Sequence, residues 1–201
     1  LKYKVPVIAD EIHGDMELFG NKFTPVATLS DEIMRNTTCC FSATKTFNLA
    51  GLQACCMVFH DASWKEKFDK FWAGLDIHRN NCFSLVAMET AWRDGDEWLE
   101  QVIDYIEGNI KFAKEFIDRE IPKVKMHLPE ATYLIWLDFR GLGLSAEELD
   151  DFLINKAGVG LNNGKDFCRS IEGYMRMNVG HPRATIEKAL IQIRDAIEHD
   201  L

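Results

Sequence analysis

Two residues of this chain combine reactive side chains with surroundings suited to chemistry. Asp10 closes the apolar run Val5-Pro-Val-Ile-Ala-Asp10, and Lys45 sits in the polar turn Ser42-Ala-Thr-Lys-Thr-Phe-Asn-Leu-Ala-Gly51. Both follow segments that read as strands, and open α/β sheets bind ligands beyond the carboxyl ends of their strands. An acid and an amine delivered to one sheet edge have a specific use with pyridoxal phosphate. The amine anchors the cofactor, and the carboxylate keeps the ring nitrogen protonated, so the ring draws electrons from a carbanion at the substrate Cα. Spacing alone leaves other readings open: an Asp at a strand end commonly caps a turn, and a lone loop lysine is commonly solvated.

The elements that must position these groups are legible from periodicity. The runs 5–10, 39–42 and 54–59 are apolar without alternation, which predicts strands covered on both faces; Pro6 weakens the first. Ser63 and Glu66 have capping-box spacing, and Trp64, Phe68, Phe71, Trp72 and Leu75 form a stripe that predicts a helix with a core-facing side. A shorter helix is expected over 84–92. The pattern from Asp96 to Glu120 predicts one helix about 37 Å long, stopped by Pro122.

Beyond it the order becomes strand, helix, strand, helix. A strand is expected over 132–139, a helix opened by a second capping box, Ser145 with Glu148, a glycine- and asparagine-rich turn over 158–164, and a strand over 174–179. Pro182 suits the first turn of a last helix carrying Ile186, Leu190, Ile193 and Ile197. This organisation divides the chain into an α/β part, 1–107, and a smaller α+β part, 108–201. On the strand 174–179, Arg176 shares a face with Tyr174 and Asn178, while Met175 and Met177 point the other way into the core. An arginine there is costly unless paired. An internal acid and the carboxylate of a ligand both answer that need. Trp136 reads as core or as cleft lining.

Composition removes several classes. The 201 residues are 47% hydrophobic and 27% charged, which excludes disorder and low complexity. A net charge of −9 lacks the footprint of a general nucleic-acid or anionic-membrane binder. No apolar run approaches the ~20 residues that span a bilayer, and no signal-peptide pattern opens the chain. Cys39, Cys40, Cys55, Cys56, Cys82 and Cys168 have no C-x-x-C spacing, so free thiols in a reducing cytoplasm are expected. His13 and Asp15 lack a third metal ligand of suitable spacing, so no metal is expected. The chain opens on Leu1, directly before a strand-like run, which points to a piece of a longer protein, one that would not hold the cofactor alone.

The two motifs Ala9-Asp-Glu-Ile-His-Gly-Asp15 and Ser42-Ala-Thr-Lys-Thr-Phe-Asn-Leu-Ala-Gly-Leu-Gln53 together resemble the fold-type-I pyridoxal-phosphate enzymes of the class I/II aminotransferase family. Within them the chain is most similar to the cystathionine β-lyase-type C–S lyases of the MalY/PatB branch, as the C-terminal half of such an enzyme. The resemblance implies an aspartate aminotransferase-like fold, with the C-terminal part of the cofactor-binding large domain followed by the small domain. It assigns Lys45 the covalent attachment of the cofactor and Asp10 the pyridine nitrogen. His13 stands where many aminotransferases have a tyrosine facing the 3-hydroxyl, and this D-E-x-H pattern points to the lyase branch. Ser42 is assigned the cofactor phosphate, with Thr44 as helper; Gln53 stands where the class often has an arginine for that phosphate. Arg176, in Arg176-Met-Asn-Val-Gly-His-Pro182, is assigned the substrate α-carboxylate, and Gly164-Lys-Asp-Phe167 resembles a family loop in which glycine rather than Cys168 follows. The implied activity is β-elimination from cystathionine or related cysteine conjugates. An aminotransferase of the same fold is the alternative, and a regulatory protein-binding role a third. A cytoplasmic homodimer with an amino-acid substrate is implied as well.

Overall fold

In the computed structural model, which describes residues 2–3, 5–77 and 80–201, the strand that carries Asp10 lies beside the strand that leads to Lys45. Leu1 is outside the described residues. Strand β1 (Val7–Asp10) is followed by a one-turn helix α1 (Asp31–Arg35) and strand β2 (Thr37–Phe41). β1 and β2 pair in parallel, in a register running from Val7↔Thr37 to Asp10↔Cys40. A short helix α2 (Ala43–Thr46) leaves β2, and strand β3 (Cys56–Phe59) returns antiparallel to it, giving the order β1-β2-β3 among the described residues. Helices α3 (Ala62–Gly74) and α4 (Cys82–Asp94) complete this part.

Three expectations change here. The sheet is not covered on both faces: Thr37, Thr38 and Cys39 are buried, but Ile8 is 72% exposed and Val58 39%. Helix α3 opens one residue earlier than Ser63, because Asp61 takes the cap and its Oδ1 accepts from the Ser63 N–H at 2.8 Å. An aspartate at the cap satisfies the orphan donors of the first turn as well as a serine would. The aromatic stripe of α3 is only partly packed. Phe68 lies against Phe59 and Trp72, with ring centroids 5.1 and 5.5 Å apart, whereas Phe71 and Leu75 are exposed and no residue of the helix is fully buried.

Helix α5 spans Asp96–Glu120, the 25 residues its periodicity predicts. The chain forms two compact units, one running to Val102 and the other comprising Ile103–Leu201. In the second unit, α5 buries Ile106, Ile110, Ala113, Phe116 and Ile117, a spacing that keeps one stripe inward. There follow β4 (Lys125–Met126), β5 (Leu134–Asp138), α6 (Ala146–Asp151), β6 (Asn162–Asn163), β7 (Tyr174–Asn178) and α7 (Arg183–Asp200). The strands pair antiparallel in the order β4-β5-β7-β6. The Ser145–Glu148 capping box forms in both directions, and α6 runs on into a π-helical turn over Phe152–Lys156. The stretch 158–164, expected as turn throughout, contains the short strand β6. Pro182 is the cap of α7 rather than its first helical residue. Ile135, Leu137, Met175 and Met177 of this sheet and Ile186, Leu190 and Ile193 of α7 are all buried in the core. No helix of the described residues is long and apolar enough to cross a membrane.

One polar side chain organises the second unit. Asn109 is fully buried; its Nδ2 donates to the carbonyls of Val179 (2.8 Å) and His181 (2.9 Å), and its Oδ1 accepts from Arg183 Nε at 2.7 Å. Arg183 in turn lies 4.7 Å over the Phe112 ring, and its backbone N–H donates to the Tyr105 hydroxyl at 2.9 Å. The chain entering α7 is thereby fixed to α5. Removing one partner of a buried set leaves the others unsatisfied. Asn109→Leu is therefore expected to destabilise the fold by about 2–4 kcal/mol in chemical denaturation, whereas Asn155→Leu on the surface stays within about 0.5 kcal/mol.

Candidate active site

The parallel ladder carries both candidate groups to one edge. It extends one step past β1, where Glu11 N–H donates to the Cys40 carbonyl at 3.0 Å, so the residue after Asp10 is still held against β2. The Asp10 side chain is exposed at that strand end, and its Oδ1 accepts from Ile12 N–H at 3.4 Å. His13 lies half-buried in the tight turns that follow, closed by Gly14 N–H to the Glu11 carbonyl and Met16 N–H to the His13 carbonyl. Among the described residues, the half-buried Lys45 places its Nζ in no hydrogen bond or ion pair.

Ser42 and Thr44 form a closed local set around the start of α2. The Ser42 hydroxyl caps the helix by accepting from Thr44 N–H at 3.0 Å, donates to the Ala54 carbonyl at 2.6 Å, and lies 2.7 Å from the Thr44 hydroxyl. A serine hydroxyl has one proton, so with that proton on Ala54 the Thr44 hydroxyl is the donor between the two. Contact with a phosphate therefore requires one of these protons to be redirected. Gln53 is exposed, at φ 51°, in the left-handed turn that leads to Ala54.

Arg176 belongs to the second unit. On β7 it alternates with buried Met175 and Met177, as the strand period predicts, and stands opposite Trp136 of β5 and Asn162 of β6. Its guanidinium lies 4.5 Å over the Phe167 ring and donates to Asn162 Oδ1 at 3.2 Å. Phe167 is itself held edge-on by Trp136, with centroids 5.5 Å apart. Burial pushes the neighbouring Tyr133 phenol above its ordinary pKa, and the Arg176 charge opposes that shift. Arg176 pairs with no acid among the described residues, and its buried Nε has no hydrogen-bond partner. Of the two answers that the sequence leaves open, the internal ion pair is not what the fold provides.

Several contacts beside these sites go beyond what the sequence predicts. Glu11 is buried, with Oε1 accepting from Val26 N–H at 2.8 Å. Asp15 Oδ2 accepts from the buried Thr46 hydroxyl at 3.0 Å, across 31 positions of sequence. A cleft of about 300 Å³ is bordered by Glu11, Asp15, Phe41, Ser42, Cys56 and Trp92. Asn162 and Phe167 frame Arg176. A helical or strand period reveals none of these pairings; the adjacency of Glu11 to Asp10 and of Thr46 to Lys45 was the available signal. Among the described residues no group of three or more His, Cys, Asp or Glu side chains could hold a metal ion.

The chain matches the model of the aminotransferase class I and II family over residues 1–193 and belongs to that family. It is 41% identical over 197 residues to the cystathionine beta-lyase PatB of Bacillus subtilis (strain 168), a match covering 98% of this chain and 51% of that protein. Among solved structures, a pyridoxal-phosphate-bound protein of Clostridium difficile 630 with an aminotransferase assignment superposes with a TM-score of 0.95 at 46% identity, over 98% of this chain and 51% of the other. Cystalysin from Treponema denticola, whose structure contains pyridoxal 5'-phosphate, follows with a TM-score of 0.93 at 26% identity, over 96% of this chain and 49% of that one. The fold is thus that of the pyridoxal-phosphate transferases, as the sequence motifs imply. The chain spans about half the length of these relatives.

All six cysteines are free thiols, and three lie on the strands of the first sheet, Cys39 and Cys40 on β2 and Cys56 on β3. Burial, and then the neighbouring Cys40, push the Cys55 thiol up to about 11. Cys168 moves the other way, because the Ser170 hydroxyl, 3.0 Å from its sulfur, favours the thiolate. Only the thiolate alkylates, so a raised pKa delays reaction to higher pH and a lowered one advances it. In an iodoacetamide series read by peptide mass, Cys168 is expected to react first as pH rises from neutrality, and Cys55 to lag until the pH nears about 11. Equal rates at both positions near pH 8 would contradict this assignment.

Proposed function

We propose that this chain supplies the lysine, the ring-facing acid and the carboxylate-binding arginine of a pyridoxal-phosphate-dependent C–S lyase. Its substrates would be cystathionine or related cysteine conjugates, and its products a thiol, pyruvate and ammonia. The observation that carries the reading is the pair of strands β1 and β2: a carboxylate on the last residue of one, and an amine with no internal partner in the turn that follows the other.

This donor set fits pyridoxal phosphate. Lys45 presents an uncommitted amine for the cofactor aldehyde, and Asp10 an exposed carboxylate for the ring nitrogen. His13 is assigned the 3-hydroxyl, and Ser42 with Thr44 the phosphate, once their protons turn from Ala54 and from each other. When bound, the cofactor supplies an electron sink for the charge left at the substrate Cα. The remaining work falls to the protein. Arg176 offers its unpartnered Nε and the rest of its fork to the α-carboxylate, a geometry in which guanidinium and carboxylate match. The Phe167 face and Asn162 hold that fork in place. Lys45 Nζ takes the proton from Cα, a transfer worth roughly 10²–10⁴-fold in rate. Asp10 would keep a proton on the ring nitrogen by its charge. A leaving group at Cβ would depart as thiolate and take up a proton, and water would release the remaining three-carbon unit as pyruvate and ammonia.

The lyase reading over transamination is supported by His13 in the D-E-x-H motif and by the similarity to PatB. The family match and the Clostridium difficile neighbour favour transamination as the second reading. The division into 1–107 and 108–201 corresponds, on this proposal, to part of the large domain and to the small domain. The free thiols support a cytoplasmic setting, and we assign a homodimer by likeness to the family.

In the natural full-length protein, pyruvate is expected from cystathionine without any added keto acid. A strict requirement for a keto acid would favour the aminotransferase, and no reaction with either would sink both. Lys45→Ala is expected to abolish turnover. Arg176→Ala should lower kcat/KM about 10- to 100-fold, mostly through KM, the size of hydrogen bonds to a charged group. An unchanged KM would remove Arg176 from the substrate site.

A further inference from the structure

We infer that Asp15 and Thr46 are positioning residues, a tether that fixes the lysine turn against the loop bearing Asp10 and His13. The inference rests on the proposed cofactor role of Lys45 and names what holds that lysine in register.

Helix α2 has four residues, a single turn, and an isolated turn does not stabilise itself. Its direction therefore depends on ties at its ends. At the start, Ser42 caps it and is anchored to Ala54. At the finish, Phe47 N–H bonds the Ala43 carbonyl, Leu49 N–H bonds the Thr44 carbonyl, and the Phe47 ring stacks on Trp98 with centroids 5.5 Å apart. The two backbone bonds close the turn on itself, while Ala54 and Trp98 tie it to other segments of the chain. The Thr46 hydroxyl reaches the loop that begins at Asp10, where it donates to Asp15 Oδ2 at 3.0 Å.

That loop is a defined body rather than a loose connection. Gly14 N–H and Met16 N–H close successive turns on the Glu11 and His13 carbonyls. A Cβ at Gly14 would come within 2.9 Å of the Phe23 ring, so the turn packs closely. Glu11 anchors its base by accepting from Val26 N–H. Asp15 thus rides on a fixed turn, five residues after Asp10, and grips the residue next to Lys45. Parallel pairing fixes the two strand ends, but Lys45 lies four residues beyond Phe41, outside the ladder. The tether restores register where the ladder has stopped. Thr46 is buried and the acceptor is a carboxyl oxygen of an acidic side chain, a stronger class of acceptor than a neutral one. Reacting groups lose efficiency steeply when displaced by about 1 Å, so this is where preorganisation needs a tie.

The test compares Thr46→Val, Asp15→Ala, the double variant and Thr46→Ser in the natural full-length protein. Two properties are read: hydrogen exchange across 43–49 without cofactor, and the affinity and pH midpoint of the visible absorbance on titration with pyridoxal phosphate. Exchange in Thr46→Val and Asp15→Ala is expected to quicken about tenfold, the low end for a hydrogen bond to a charged group. Cofactor affinity should fall about tenfold with a displaced pH midpoint, the double variant should be no worse than either single, and Thr46→Ser should behave as wild type. Unchanged exchange, independent addition of the two effects, or a Thr46→Ser variant as impaired as Thr46→Val would overturn the tether. Wild-type protein that gains no visible absorbance would overturn the cofactor reading instead, and the exchange measurement would still decide the tether itself.

Discussion

The parallel pairing of β1 with β2, in the register Asp10↔Cys40, is the constraint on which the candidate site depends. Side chains alternate along a strand, so a slip of one residue would send Asp10 to the opposite face of the sheet. The register is secured from three directions. Val7 N–H donates to the Asn36 carbonyl, Asn36 Nδ2 donates back to the Val5 carbonyl at 2.7 Å, and Glu11 N–H donates to the Cys40 carbonyl. Asn36 thereby does for the start of the ladder what Glu11 does for its end. Strand ends set in this way are where open α/β sheets present groups to ligands.

The second unit contributes a different physical device. Arg176 is surrounded by groups that orient a cation without neutralising it: an aromatic face, a side-chain carbonyl, and tryptophan holding the aromatic ring. Arg140, in the turn just past β5, shows the contrast. It lies 4.8 Å over the Tyr174 ring and binds both oxygens of Asp138, at 2.9 and 2.7 Å, holding that carboxyl below the ordinary range. One arginine is satisfied within the fold, and the other has no internal acid among the described residues. An internally unpaired arginine with a buried, unpartnered Nε is costly to fold, and that cost is sensible where an anion arrives.

Legibility in the sequence followed the physical range of each interaction. Helix α5 was readable to its ends because its stripe, its acidic first turn and Pro122 all report locally. The Ser145–Glu148 box formed for the same reason. The Ser63–Glu66 box failed because Asp61, two residues upstream, is an equally good cap and the pattern does not rank competing caps. The burial of the sheet and of α3 was misjudged, since apolar runs report a capacity for burial and not the presence of a cover. β4 and β6, with two residues each, have no period to detect. Asp10, Lys45 and Arg176 were readable as motif positions, whereas the Asp15–Thr46 bond joins residues 31 apart and is visible only once the strands are paired. The commitment of the Ser42 proton to Ala54 was equally invisible, since it depends on where β3 begins.

Lys45 is set apart from the other lysines by its place in the turn that leaves β2, the strand paired with that of Asp10. Incubating the natural full-length protein with pyridoxal phosphate, reducing it with borohydride and mapping the modified peptide tests this directly. A single dominant modification is expected, on the peptide containing Lys45. Modification spread over the surface lysines, or concentrated on any other residue, would contradict it.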